Sequence, residues 1–228
     1  MAASIAFGLL FLQPTPTPRG SFLSDATVYA AAGERRNVNL GDGIQAVLAP
    51  NSRILVTGHE IAAQGEVYFA VDHRAERPLT VHSGPLTVQD IGTRFVVRND
   101  GGTAEVAVEE GRLSAMHDGS KVRRTVGAGQ RLRVDVGSLA MSVDSIEPTQ
   151  IADWRDGTLT FQNAPLALVA ERLSLYSGTK VSVDQAIGNR RFSGDVAIGK
   201  GEDPAQSVAG ILGIRAVHQK DGMRLRNP

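Results

Sequence analysis

The one peptide bond in this sequence for which chemistry can be written lies between Gly92 and Thr93. A threonine hydroxyl can attack the carbonyl just before it when the peptide is strained. The acyl group then moves from nitrogen to oxygen, and water opens the resulting ester. Glycine on the upstream side permits the unusual dihedrals that such strain needs. The plainer reading is that Gly92 marks a bulge or a close backbone approach and Thr93 is an ordinary strand residue. Other reactive residue types are dispersed. His59, His73, His82, His117 and His218 contain no pair at the spacing of a metal-binding helix or hairpin. His82 reads as the wet face of a strand, and neither a metal nor any other cofactor is expected. Glu109 and Glu110 are adjacent where a strand runs into a turn, so their side chains diverge instead of forming a carboxylate pair. No nucleophile-elbow motif is present, and Gly199-Lys200-Gly201 lacks the rest of a phosphate loop. Nothing here suits an enzyme acting on an external substrate.

The composition agrees. The 228 residues allow one large domain or two small ones, and 42% hydrophobic residues are enough for a core. Lysine plus arginine equals aspartate plus glutamate at 24 each, so no net field draws nucleic acid, and no nucleic-acid partner is expected. The absence of cysteine removes disulfides, thiol catalysis and Cys-ligated zinc. Few aromatics (5%) and 25 glycines suit a turn-rich β protein.

The elements that must position Gly92-Thr93 are short strands. Val67-Phe69-Val71, Leu79-Val81 with Leu86-Val88, and Phe95-Val97 alternate apolar with polar residues, which places one side of each strand in a core. Gly41-Asp42-Gly43 and Pro50-Asn51-Ser52 supply turn chemistry. About ten such strands at roughly ten-residue spacing, without a helix between residues 34 and 146, predict an all-β sandwich, barrel or solenoid-like stack. From Asp153-Trp154-Arg155-Asp156-Gly157 onward the pattern changes. Thr158–Phe161 reads as a strand. Asn163 and Pro165 then open a helix with Leu166, Val169, Leu173 and Tyr176 on one face, which Gly178 closes. Lys180–Val183 and Arg190–Val196 are strands. Asp203-Pro204 opens a second helix ending at Gly213, and Asp221-Gly222 turns a closing hairpin. The reading is mainly β followed by α+β: an all-β domain over 21–148 and a β-α-β-β-α-β-β domain over 153–228, of about 75 residues. Trp154 reads as a core or junction residue.

A small α+β domain has exposed sheet edges, and a partner domain can extend such a sheet through main-chain bonds. The candidate contact residues are Lys180, Val181, Ser182 and Val183, together with Arg190, Arg191, Phe192 and Ser193. At the amino terminus, the apolar run Ala2–Leu12 is shorter than the roughly 20 residues of a spanning helix and lacks the positive flank of a secretory signal. Pro14, Pro16 and Pro18 follow it. Residues 1–20 are read as the back half of a membrane anchor with a Pro-rich stalk.

Taken together, Asp42–Val56 (with DGIQAVLAPNSRILV), Gly65–Val71, Arg77–Val81, Ile91–Val97, Val106–Leu113, Gly127–Val134 and Trp154–Val196 form an ordered set. That set resembles the periplasmic part of FecR-type sigma-factor regulators, the transmembrane anti-sigma proteins of cell-surface signalling. The resemblance implies a solenoid-like or sandwich FecR domain and a carboxy-terminal short domain of the kind shared by secretins and TonB-dependent receptors (the STN domain). It implies a periplasmic, inner-membrane-anchored protein. Its partner would be the signalling domain of an outer-membrane TonB-dependent receptor, in a system such as iron-uptake regulation. A sigma factor would be reached only through a cytoplasmic segment that this sequence does not carry. Self-cleavage at Gly92-Thr93 is also implied for some members. An envelope scaffold or oligomerisation protein without a receptor partner is the alternative.

Overall fold

The computed structural model describes residues 26–30, 33–72, 78–90, 92–199 and 201–228. The expected anchor and linker (residues 1–20), Phe22, His73, Arg77, Ile91 and Lys200 lie outside them. Alternation becomes strands almost wherever it is written. In chain order these are β1 (Ala26–Tyr29), β2 (Arg36–Gly41), β3 (Ile44–Leu48), β4 (Arg53–Thr57), β5 (Glu60–Val71), β6 (Leu79–Ser83), β7 (Leu86–Asp90), β8 (Arg94–Asn99) and β9 (Thr103–Glu110). After them come β10 (Arg112–His117), β11 (Arg123–Gly127), β12 (Gln130–Asp135) and β13 (Met141–Ser145). All thirteen belong to one sheet, whose longest path runs β11-β10-β7-β6-β5-β8-β9-β12-β13.

β5 holds the sheet together because its two halves pair with different neighbours. The first half pairs antiparallel with β4 and parallel with β6, and the second pairs antiparallel with β3 and β8. The change falls at Gly65, whose φ of +83° is a left-handed conformation that disfavours a side chain. A Cβ there would stand 2.5 Å from Ser52 Oγ. Ser52 Oγ instead accepts from Glu66 N at 2.9 Å. The halves therefore fold over a common core containing Leu48, Ile54, Ile61, Phe69, Leu79, Phe95 and Leu132. Phe69 and Phe95 are direct cross-strand partners with rings 5.3 Å apart. Each such side chain contributes about 1.5–3 kcal/mol by leaving water. Among the pairings of this sheet only β5–β6 is parallel, so the strands make a bent sheet folded on itself rather than a stack of parallel rungs.

One departure from simple alternation matters. Tyr68, Val96 and Ala107 occupy the face opposite this core, which simple alternation leaves to solvent, yet all three are buried. They lie in one row, since Tyr68 pairs with Val96 and Val96 with Ala107. The carboxy-terminal module covers that row.

The module begins after single 3-10 turns at Pro148–Gln150 and Asp153–Asp156. It contains β14 (Thr158–Pro165), α1 (Leu166–Ser177), β15 (Val181–Val183), β16 (Arg191–Ala197), α2 (Pro204–Leu212), β17 (Arg215–Gln219) and β18 (Gly222–Arg226). This is the expected order. β14 and β16 form one sheet, β15-β18-β17 form another, and both helices touch strands of both. Asp203 caps α2 by accepting from Gln206 N at 3.0 Å, with Pro204 in the first helical turn. Asn163 is not the cap of α1. It sits at φ +49° in a bulge of β14, and Pro165 occupies the cap position without a side-chain bond. Asparagine tolerates the left-handed region, so the bulge uses the same property that suggested a cap. No helix of the described residues is long and apolar enough to cross a membrane.

Candidate functional site

Gly92 and Thr93 form the link between β7 and β8. Gly92 has φ +148°, and its N–H donates to Asp90 Oδ2 at 3.2 Å. Thr93 O accepts from Val71 N at 3.0 Å, which ties the link to the end of β5. Gly111, in the tight β9–β10 turn, lies close against the other side. A Cβ on Gly111 would stand 2.6 Å from Thr93 Cγ2 and 3.0 Å from Gly92 O. Thr93 is 3% exposed, and its Oγ1 has no hydrogen-bond partner among the described residues. A buried hydroxyl without a partner costs about 1–3 kcal/mol. Such an oxygen has no competing bond to hold it back from a neighbouring carbonyl carbon.

The second candidate is the seam between sheet and module. Trp154 is fully buried there, and its indole N–H donates to Glu66 Oε1 at 2.6 Å. The Tyr176 hydroxyl donates to Glu66 Oε2, and the Trp154 and Tyr176 rings stack 5.9 Å apart. Asp153 accepts from Trp154 N (2.9 Å), Thr160 N (2.6 Å) and Arg172 Nη2 (3.4 Å). Burial raises the Asp153 pKa above the ordinary carboxylate value, although Arg172 and the two backbone donors pull it down. On the sheet side, the Tyr68 hydroxyl donates to Glu109 Oε2 at 2.5 Å. The Arg155 guanidinium lies 4.2 Å from the centre of the Tyr68 ring and reaches Glu109 Oε1 at 3.3 Å. Arg35 Nη1 donates to Trp154 O and Arg155 O at 2.8 and 2.9 Å. Gly33, two residues before it, packs on Gly178 at the end of α1, where a Cβ would stand 2.9 Å from Gly178 Cα. Residues 153–228 are thus joined to the sheet by a shared apolar cluster and a polar network. The sequence pattern singles out Trp154 and puts Tyr176 on the inner face of its helix, but it gives no sign that Glu66 or Arg35 meets them.

The proposed docking strands are more occupied than alternation suggests. Val181 is buried in the core, and the Ser174 hydroxyl engages its backbone, accepting from Val181 N at 2.8 Å with its one proton shared between Ala170 O (2.7 Å) and Val181 O (3.0 Å). Ser182 Oγ donates to Met223 O, and Val183 is half-buried. Arg190 Nη2 donates to Leu212 O, and Arg191 Nη1 to Asn163 O. Phe192 is buried edge-on against Phe161, and Ser193 Oγ accepts from Asn163 N. Lys180 O is used by Met223 N. Among the described residues no strand pairs with the outer edge of β16.

The remaining candidates have structural explanations. Glu109 and Glu110 point apart, Glu109 to Tyr68 and Arg155 and Glu110 to Arg94. His82 is a half-exposed strand residue beside Glu60 and Thr87. His117 is buried. Its Nδ1 accepts from Gly119 N and Ser120 N, so Nε2 carries the proton and donates to Ser138 O at 3.1 Å. Among the described residues no cluster of three metal-ligating side chains occurs.

Comparison with known proteins adds two findings. Residues 26–114, from β1 into β10, match the family model described as FecR protein. Two crystal structures (1.65 and 2.50 Å) of a protein provisionally described as an anti-sigma factor, from Parabacteroides distasonis ATCC 8503, share the fold. Each aligns with a TM-score of 0.74 at 17% identity, covering 89% of this chain and 99% of the other. Among curated proteins, none matches the chain. The sheet that carries Gly92 and Thr93 is thus similar to FecR proteins in sequence, and the sheet-plus-module architecture recurs in a solved structure.

Proposed function

We propose that this chain is the periplasmic relay part of a FecR-type sigma-factor regulator. In this reading it binds the signalling domain of an outer-membrane TonB-dependent transducer and thereby controls an extracytoplasmic-function sigma factor from an inner-membrane anchor. The observation that carries the reading is the FecR match, which spans β1 to β9 and reaches into β10. The module offers the docking sheet, with the open edge of β16 (Arg191 and Ser193 at its start) as the first contact strand. Calorimetry between the purified chain and the signalling domain of a TonB-dependent receptor from the same organism tests it. Saturable binding at micromolar concentrations is expected. Self-association with no receptor binding would replace the relay with an envelope scaffold.

Self-processing at Gly92-Thr93 is a second reading, favoured by the buried, unpartnered Thr93 hydroxyl beside a glycine at φ +148°. Thr93 Oγ1 attacks the Gly92 carbonyl carbon, the Gly92–Thr93 C–N bond breaks, and the hydroxyl proton passes to the departing amine. Water then cleaves the ester, leaving a Gly92 carboxylate and a free Thr93 amino terminus. Denaturing gels and mass spectrometry of purified protein should show fragments ending at Gly92 and beginning at Thr93. Thr93→Ser should retain them and Thr93→Ala abolish them. An intact chain after days at room temperature would count against this second reading.

A further inference from the structure

The β15-β18-β17 sheet has one edge closed and one open. Met223 N donates to Lys180 O at 2.8 Å, and Asp184 N donates to Leu225 O at 2.9 Å, so the Met223 and Leu225 backbones face β15. Alternation then turns the Gly222, Arg224 and Arg226 backbones toward β17, where they meet Gln219, Val217 and Arg215. The N–H and C=O groups of Ala216 and His218 are left pointing away from the sheet, and they meet no partner among the described residues. On the far side the Ser174 hydroxyl already occupies Val181.

The charges on this sheet are arranged just as unevenly. Arg215 lies directly opposite Arg226, both are exposed, and neither forms an ion pair among the described residues. Like charges directly opposite across a strand pair are destabilising. The nearby Arg224 does have a carboxylate, Asp184 Oδ1 at 2.5 Å. In a chain whose charges cancel at 24 against 24, two facing arginines beside an open edge are a local exception.

We propose that the β17 edge binds an extended acidic segment of a protein partner. The segment adds as a fourth strand, bonding through its main chain to Ala216 and His218 and placing carboxylates against Arg215 and Arg226. This rests on the reading of the chain as a relay that docks a protein, and it adds to the β16 edge a second docking surface with its own chemistry. A guanidinium fork takes a carboxylate through two parallel bonds, which offsets the repulsion between the arginines. A strand also supplies both donors and acceptors, whereas phosphates could accept from the two N–H groups but could not donate to the two C=O groups. That favours a peptide over a nucleic acid.

The test uses the full chain, isotope-labelled, with a fluorescein-labelled synthetic peptide of alternating glutamate and valine. An alternating lysine-valine peptide and a single-stranded oligonucleotide of equal charge serve as comparisons. Binding of the glutamate peptide should shift the Ala216 and His218 amide resonances, and the double variant Arg215→Glu/Arg226→Glu should weaken it about tenfold or more. Circular dichroism of the double variant guards against misfolding, since both positions are exposed. Absence of binding, undiminished binding to the double variant, or equal competition by the oligonucleotide would overturn the proposal. The receptor's signalling domain is titrated alongside. If it binds the wild-type chain and the double variant equally, this surface assignment falls and the relay reading survives. If it does not bind while the glutamate peptide does, the relay reading falls and the β17 edge serves another acidic partner.

Discussion

Glu66 on β5 and Trp154 at the entrance to the module are joined by a 2.6 Å hydrogen bond that spans 88 positions of sequence. The Tyr176 hydroxyl reaches the other oxygen of the same carboxylate, so one acidic side chain takes donors from two separate parts of the module. Glu66→Ala would leave the buried indole N–H and phenol without an acceptor. It should destabilise the protein by about 2–4 kcal/mol. Trp154→Phe, which removes one donor and keeps most of the ring, should cost less. Chemical denaturation followed by the fluorescence of the single tryptophan measures the first, and far-ultraviolet circular dichroism measures the second.

Thr93→Val replaces an unpartnered buried hydroxyl with a methyl group of similar size. Removing a polar group that bonds to nothing should stabilise the fold by about 1 kcal/mol. That corresponds to a rise in Tm of about 2–4 °C for a chain of this size. A calorimetric melt of the two proteins checks it. A lower Tm would mean that the hydroxyl bonds to water or protein in solution.

Gly222 has φ +144°, and any Cβ there would overlap Lys180 O, the acceptor that joins β18 to β15. Gly222→Ala should cost about 3 kcal/mol or more. Hydrogen exchange should localise the damage. The Met223 and Asp184 amides should lose protection while those of Phe69 and Phe95 keep theirs.

Two of the three tyrosines should resist alkali. Burial, and then its bond to Glu109, push Tyr68 up to about 12, with Arg155 opposing. Burial first, and then the nearby Glu66 charge, raise Tyr176 well above its ordinary value. For both, the folded pKa lies above the unfolded value of about 10. Their contribution to stability is therefore whole below that pH; that of Tyr68 is lost as pH rises through about 12, and that of Tyr176 as pH rises through its own raised pKa. Phenolate absorbance on alkaline titration should show late steps that coincide with unfolding, and Tyr68→Phe should remove one of them.

Alternation made the strands legible in the sequence because half-buried strands write their inner face into every second residue. Asp203-Pro204 was equally plain, since cap and proline act within one turn. The burial of Tyr68, Val96 and Ala107 cannot be read from alternation, because a second buried face looks like a wet one until its cover is known. Asn163 misled because one tolerant residue serves caps and bulges alike. Tyr176 is legible as an inner helix-face residue, but its bond to Glu66, like the bonds of Trp154 to Glu66 and of Arg172 to Asp153, could not be found by pattern, since partners up to 110 positions apart leave no spacing to read. The Ser174 closure of β15 was hidden for a related reason, because a helical serine gives no sign of the strand it will bond. At the candidate site the Gly-Thr pair is visible, but the missing partner of the hydroxyl and the close approach of Gly111 emerge only in three dimensions.

Arg35 grips the Trp154 and Arg155 carbonyls just before β2 begins, and Gly33 lies against the end of α1. Tension entering from the amino-terminal side therefore loads the pairing of β1 with β4 first and the seam at Gly33 and Arg35 next, before it reaches β2. Once β1 gives way, the next bonds to bear force are those that join the two parts, so a pull on the leading end reaches the module before it strains β2 and the strands after it.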